Sequence, residues 1–190
     1  MKLYRRLAVT VVATLCLAGC GRGVAPAVVP NPDTRIDPIS PGRTWAYDVN
    51  VFGAFPACSA GRHSATVRKE ARVEGRNAYK VESFCPGLGA SYYAVAGDRV
   101  ELDYRDSWVL LLDAPVEEGH SWTNGVGIFT WHKEGPVTVP AGTFSDCWRA
   151  TETASFTSYT LFCRGVGPVH WYRKDASGNG FEAQLASKAP

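Results

Sequence analysis

The sequence has 190 residues, of which 45% are hydrophobic and 12% aromatic, with 19 glycines and 12 prolines. This composition excludes a disordered chain, which is poor in aromatic residues, and indicates one turn-rich globular unit. Lys and Arg number 20 against 18 Asp and Glu. Residues 1–19 contain three basic side chains and no acidic one, so the remainder has 17 against 18. A chain this close to neutral has no electrostatic reason to bind nucleic acid.

The first nineteen residues have the features of a secretory signal. A short basic segment, residues 1–6, precedes eleven apolar or weakly polar residues, 7–17. A membrane-spanning helix needs about 20 apolar residues, so this run is too short to cross a bilayer. We therefore predict a signal peptide over residues 1–19 rather than a transmembrane helix.

The apolar run ends in Leu17-Ala18-Gly19-Cys20, which resembles a bacterial lipobox. The resemblance implies cleavage before Cys20, a diacylglycerol thioether on its sulfur and an acylated amino group. Two or three acyl chains suffice for stable membrane anchoring. An ordinary signal peptide followed by a chance cysteine is the alternative. Gly21 stands where Asp would favour inner-membrane retention in enteric bacteria, so we expect an outer-membrane lipoprotein.

Residues 20–41 are predicted to form a lipidated, proline-rich tether. After Cys20 this segment contains five prolines and no aromatic residue. Proline removes backbone donors and disfavours helix before it, so an extended spacer is expected. A single β-rich domain should follow over residues 42–190, which is long enough to fold without a metal.

Four cysteines remain in the predicted domain: Cys58, Cys85, Cys147 and Cys163. Outside the cytoplasm an even number favours disulfides. Residues 144–153 and 157–164 are predicted to be two strands, and a hairpin register centred on residue 155 places Cys147 opposite Cys163, close to disulfide distance. Pairing of Cys58 with Cys85 follows by elimination. A redox pair or a zinc site is disfavoured because the chain has no CxxC motif.

The domain alternates between turn residues and short segments of period two. Residues 99–104 show the pattern most clearly, with Val100, Leu102 and Tyr104 on one face and charged residues on the other. About ten such strands with short links predict an all-β fold, mainly an antiparallel meander that forms a curved sheet, half-barrel or sandwich with little helix. The six tryptophans are expected to fill its concave core.

Three short motifs resemble a recurring pattern of secreted bacterial lipoproteins. They are W-x-Y at residues 45–47, V-x-V-P-A-G-T-F at 137–144 and G-V-G-x-V at 165–169. The resemblance implies a β-rich envelope domain without an established activity, whose more distant relatives resemble half-barrel lipoprotein-localisation carriers. Pro140 can bend the chain between two strands, while Gly165 and Gly167 permit backbone geometry that a side chain would obstruct.

Candidate chemical groups are sparse. Four histidines occur singly, so the fold would have to assemble any metal site; they are His63, His120, His132 and His170. The nucleophile elbow, the S-x-x-K motif and the phosphate-binding loop are absent from the sequence. One acidic stretch could supply two carboxylates for glycoside hydrolysis, although a solvated rim is favoured; its residues are Asp103, Asp106, Asp113, Glu117 and Glu118.

The favoured hypothesis is a non-enzymatic envelope lipoprotein whose domain is an interaction or ligand-holding module without a cofactor. Its partners would be the membrane, through the N-terminal lipid, and an apolar ligand or an envelope protein. One alternative is a carrier or sensor of an apolar ligand, which requires an open apolar cavity of about 300 to 1,000 Å³. The other is a hydrolase of envelope polysaccharide or peptide, which requires two Asp, Glu or His side chains within about 10 Å in a cleft.

Overall fold

A computed structural model of the chain describes residues 33–190; the predicted signal segment and Cys20 lie outside the described residues. The elements in that range are fourteen strands and one 3-10 turn, Pro86–Leu88. The strands are β1 (Thr44–Phe52), β2 (Gly61–Val73), β3 (Arg76–Glu82), β4 (Ala90–Ala96), β5 (Arg99–Asp103), β6 (Trp108–Leu112), β7 (Ser121–Thr123), β8 (Ile128–Lys133), β9 (Val137–Val139), β10 (Gly142–Phe144), β11 (Cys147–Thr153), β12 (Phe156–Cys163), β13 (Gly167–Asp175) and β14 (Gly180–Ala189). No helix over residues 33–190 has the length and apolar character needed to cross a membrane.

Twelve of the strands form one antiparallel sheet, in the order β6-β5-β4-β3-β2-β1-β14-β13-β12-β11-β8-β7. The strands β9 and β10 form a separate hairpin around Pro140, as the bend expected there requires. The large sheet consists of two meanders that are joined where the first strand pairs with the last, Thr44 opposite Ala189. The all-β prediction is confirmed.

The sheet curls until it is nearly closed. Local shifts of register, which increase strand twist, interrupt four strand pairings; they lie at Ala46/Tyr47, Val67/Lys69, Val100/Glu101 and Leu161/Phe162. Two indole groups connect the strands at the two edges. Trp122 Nε1 donates to the Leu111 carbonyl oxygen at 3.2 Å, and Trp131 Nε1 donates to the Asp113 carbonyl oxygen at 2.9 Å. The two edges of the sheet are therefore joined by hydrogen bonds from side chains rather than by backbone pairing between strands.

Both disulfides have the pairing that the sequence analysis favoured. Cys147 and Cys163 are directly opposed in the β11–β12 hairpin, whose register is centred on residue 155. Cys58 and Cys85 join the β1–β2 loop to the β3–β4 loop. The predicted strand over 144–153 is interrupted, because Asp146 has a φ of 53° and separates β10 from β11. One disulfide thus links two paired strands, and the other links two loops of the same sheet.

The packed domain begins before residue 42, which corrects the predicted boundary of the tether. Residues 33–43, here called the N-terminal strap, lie across one end of the sheet. Ile36 and Ile39 are buried in the core, with 0% and 3% of their surfaces exposed. The prolines and lack of aromatic residues in this segment predict that residues 33–41 belong to the spacer. Burial of the two isoleucines makes these residues part of the folded unit instead.

Candidate functional site

The concave face of the sheet encloses a cavity of about 550 Å³. This volume lies within the range of about 300 to 1,000 Å³ that is typical of ligand pockets. Strand alternation directs every second side chain inward, so Trp45 and Tyr47 of β1 both line the cavity. Most of the wall is apolar and includes Val81, Phe84, Leu111, Phe162 and Trp171. The cavity is therefore a space suited to an apolar molecule.

A cluster of aromatic rings forms one wall of the cavity. The Phe84 ring lies 4.7 Å from the Tyr47 ring, 5.7 Å from Trp171 and 5.8 Å from Phe181, measured between centroids. Such separations are typical of favourable aromatic pairs. Phe84 precedes Cys85, whose disulfide to Cys58 fixes the loop that carries it. One role of this disulfide is thus to hold a cavity-lining ring in position.

The N-terminal strap closes one end of the cavity. The Ile36 amide donates to Asp98 Oδ1 at 2.7 Å, and the Arg35 carbonyl oxygen accepts from the Gly165 amide at 2.9 Å. Arg164 completes this attachment through an ion pair with Asp98 at 2.8 Å. Asp98 lies in the β4–β5 turn and Gly165 in the β12–β13 turn, which belong to opposite halves of the sheet. The strap therefore bridges the two halves over the end of the cavity.

Two glycines of the G-V-G-x-V motif make this close approach possible. Gly165 has a φ of +72°, and a Cβ atom there would lie 2.5 Å from the Asp33 carbonyl oxygen. Gly167 has a φ of +93°, and its Cβ would lie 3.2 Å from the Trp45 ring and 3.3 Å from Asp37 Oδ1. Both positions therefore need glycine for backbone conformation and for space, as the sequence analysis expected.

A single acidic side chain, Asp37, lies at the closed end. It lines the cavity, only 8% of its surface is exposed, and its Oδ1 atom is buried without a hydrogen-bond partner within residues 33–190. Burial raises the pKa of Asp37 to about 7, against the opposing influence of the Arg43 and Arg35 guanidinium groups. Arg43 itself donates to the carbonyl oxygens of Pro38 at 3.2 Å and Gly165 at 2.8 Å. Asp37 thus brings to the closed end of the cavity a carboxyl group whose Oδ1 atom has no hydrogen-bond partner among the described residues.

The opposite end opens between loops that carry exposed apolar side chains. Because antiparallel strands alternate in direction, the β3–β4, β5–β6 and β7–β8 connections all lie at this end. Leu88, Tyr104 and Val126 line the cavity here and have 58%, 49% and 77% of their surfaces exposed, and Ile128 follows with 56%. We call these four residues the apolar rim. They account for all the large apolar side chains that are highly exposed within residues 33–190.

Two further carboxylates line the cavity away from the strap. Glu82 lies 2.6 Å from an Arg68 nitrogen, and this contact holds the pKa of Glu82 below its usual range. Burial raises the pKa of Glu152, although a hydrogen bond with Ser158 opposes the increase. Both residues are close to strand ends at the open side. The three carboxylates of the lining are therefore divided between its two ends.

The four histidines do not meet at this site, and none of them lines the cavity. Three contact a carboxylate, namely His120 with Asp113 at 3.2 Å, His132 with Glu118 at 3.0 Å and His170 with Glu182 at 2.9 Å, while His63 contacts Ser59 Oγ at 3.1 Å. In the part of the chain that the structure describes, no three His, Cys, Asp or Glu side chains are arranged to hold a metal.

The acidic stretch considered for hydrolysis also lies outside the cavity lining. Asp113 pairs with Arg99 at 2.9 Å as well as with His120, and Glu118 accepts a hydrogen bond from the Lys133 amide at 2.6 Å. These two carboxylates are therefore engaged in contacts between neighbouring strands and turns. Sequence reasoning missed Asp37, Glu82 and Glu152, the carboxylates that do line the cavity.

No protein-family model matches this sequence, and no curated protein matches it. Solved structures similar to the chain include a provisionally assigned lipoprotein from Parabacteroides distasonis, which is 11% identical with a TM-score of 0.52 over 83% of this chain and 99% of that one. A provisionally assigned exported protein with YmcC-like fold from Bacteroides fragilis is 10% identical, with a TM-score of 0.47 over 83% and 100% of the two chains. At this low identity, the likeness to the Parabacteroides protein shows a shared fold.

Proposed function

We propose that this protein is a lipid-anchored lipoprotein of the bacterial envelope that holds an elongated apolar ligand. The observation that carries the proposal is the apolar cavity of about 550 Å³, which the strap closes at one end and the apolar rim borders at the other. Protein interiors normally pack to a density of about 0.75, and empty apolar space lowers stability. A domain selected for stability alone would fill this space, so the cavity supports a ligand-holding role.

The proposed lipid anchor is inferred from the lipobox-like sequence that ends at Cys20. Thirteen steps of the chain separate Cys20 from Asp33, a distance of at most about 45 Å when fully extended. Cys20 would carry the acyl chains, and the segment up to the strap would let the domain stand off the membrane. The structurally similar Parabacteroides protein is itself provisionally assigned as a lipoprotein, which supports this placement. Gly21 favours the outer membrane.

Titration with N-phenyl-1-naphthylamine, whose fluorescence rises in apolar surroundings, tests the cavity directly. Wild-type protein should bind this probe saturably. Ala65→Phe should weaken binding by about tenfold or more, because Ala65 lines the cavity and a phenyl ring would occupy part of its volume. Ala46→Phe is the matched control, since Ala46 lies between the inward-facing Trp45 and Tyr47 and therefore points to the other face.

Circular dichroism and thermal unfolding should show that both variants remain folded. Binding by wild type and Ala46→Phe, but weak binding by Ala65→Phe, is the expected result. The ligand-holding function would be contradicted by a wild-type protein that leaves the probe fluorescence unchanged, or by equal affinities of all three proteins.

A further inference from the structure

The carboxyl group of Asp37 occupies an unusual position, at the closed end of an otherwise apolar cavity. Burial of a polar group is unfavourable unless it forms hydrogen bonds. Two neighbouring side chains in the cavity wall, Trp45 and Tyr47, do form such hydrogen bonds. Trp45 Nε1 donates to the Val166 carbonyl oxygen at 2.6 Å, and the Tyr47 hydroxyl donates to the Pro168 carbonyl oxygen at 2.8 Å. Asp37 Oδ1 has no hydrogen-bond partner among the described residues, as is also the case for Arg43 Nε on the strap and Trp171 Nε1 in the cavity wall.

A purely structural role in holding the strap does not account for Asp37. The strap is attached by the hydrogen bonds of Ile36 and Arg35 and by its buried isoleucines. Asp33 and Asp98 show what structural carboxylates do here: Asp33 pairs with Arg35 at 2.5 Å, and Asp98 accepts from the Ile36 amide and pairs with Arg164. Asp37 Oδ1 has no such contact among the described residues, and Asp37 is one of the residues that line the cavity.

We propose that Asp37 binds the polar end of the cavity ligand, a neutral hydrogen-bond-donating group such as a hydroxyl, on an apolar chain that enters polar end first. The inference rests on the proposed ligand-holding function and defines its ligand class. The apolar rim accepts the chain at the open end, and the carboxyl group receives the donor at the closed end. The ligand would thereby supply a hydrogen-bond partner to the Asp37 carboxyl group.

The surrounding charges favour a neutral group over a charged one. The guanidinium groups of Arg35 and Arg43 are close enough to affect the charge on Asp37, so an ammonium group would meet two positive charges. A carboxylate ligand would face repulsion from Asp37 whenever that residue is ionised. A hydroxyl group can donate to a carboxylate and accept from a carboxylic acid, so it suits both forms of Asp37.

Competition with bound N-phenyl-1-naphthylamine by compounds that share the same decyl chain tests this assignment. Wild type should bind 1-decanol about tenfold more tightly than decyl methyl ether, which has a similar chain but no donor. Asp37→Leu should abolish this preference while retaining ether binding. Asp33→Asn is the control on the same strap, because Asp33 is already paired with Arg35, and it should retain the preference.

The outcomes separate this inference from the proposed function. A wild-type protein that binds neither the probe nor either compound would contradict the cavity function itself. If wild type binds decanol and the ether equally, or if Asp37→Leu retains the preference, the cavity function stands and the role of Asp37 is wrong. Preference for decylamine over decanol would also overturn the neutral-donor assignment. The wild-type comparison needs no variant, so it stays decisive even if Asp37→Leu fails to fold.

Discussion

Asp37 shows at the scale of one residue how a binding group can lower stability. Burial raises its pKa from 3.8 to about 7, so the folded state binds this proton more tightly than the unfolded chain does. The resulting contribution to stability is fully present below pH 3.8 and is lost as the pH rises towards 7. At neutral and higher pH, ionised Asp37 therefore opposes folding.

Asp37→Asn should remove this pH dependence, because asparagine does not titrate. The variant should gain on the order of 2 to 4 kcal/mol relative to wild type between pH 4 and pH 8. Urea unfolding of both proteins at the two pH values measures the difference. Comparison with wild type matters, since carboxylates such as Asp33 and Glu82 have lowered pKa values and change stability in the opposite direction. Parallel pH profiles of the two proteins would contradict the burial of a titrating Asp37.

Sequence reasoning predicted some residues well and missed others for identifiable reasons. Strand alternation and one hairpin register suffice to place Cys147 opposite Cys163, because both depend only on residues that are close together in the sequence. Asp37 was missed because prolines dominate its surroundings and suggest a spacer. The available signal was the pair Ile36 and Ile39, apolar residues with little reason to be present in a solvated tether.

At the scale of elements, the strap depends on its close contact with the β12–β13 turn. Gly165→Ala should destabilise the protein through its positive φ and through collision of the new methyl group with the Asp33 carbonyl oxygen. Gly97→Ala is a matched control, because Gly97 has a similar φ of +65° but open space around a Cβ atom. We expect a cost of about 1 kcal/mol for Gly97→Ala and about 2 to 4 kcal/mol for Gly165→Ala.

Urea unfolding gives the two stability losses, and hydrogen exchange of the Ile36 amide reports attachment of the strap. That amide should exchange faster in Gly165→Ala, while Gly97→Ala should leave the strap closed. Equal losses in both variants, with unchanged exchange, would show that the close approach of strap and turn contributes nothing.

The strands themselves were largely predictable, whereas their arrangement was not. Period-two patterns identify segments such as residues 99–104 because inward and outward side chains differ in burial. Pairing of β1 with β14 joins residues that are far apart in sequence, and no local pattern encodes it. The strand β7 has three residues, too few for a period to show. Local sequence patterns therefore identify a strand but do not reveal where that strand lies in the sheet.

At the scale of the whole molecule, the nearly closed twelve-stranded sheet leaves an open space on its concave face. Two meanders meet at β1 and β14, the indole groups of Trp122 and Trp131 connect the free edges, and the strap covers one end. The size of the enclosed space depends on all of these contacts together. Sequence reasoning could set the range of volume that a carrier needs, but only the assembled sheet determines the volume present.

Mass spectrometry of the full-length protein, purified from membranes without denaturation, tests the central claim most directly. The denatured spectrum should give the mass of a chain that begins at an acylated Cys20. The native spectrum should show an additional non-covalent mass that organic solvent extracts and that Ala65→Phe lacks. A native mass equal to the denatured mass, in protein that also fails to bind an apolar probe, would contradict a ligand-holding cavity.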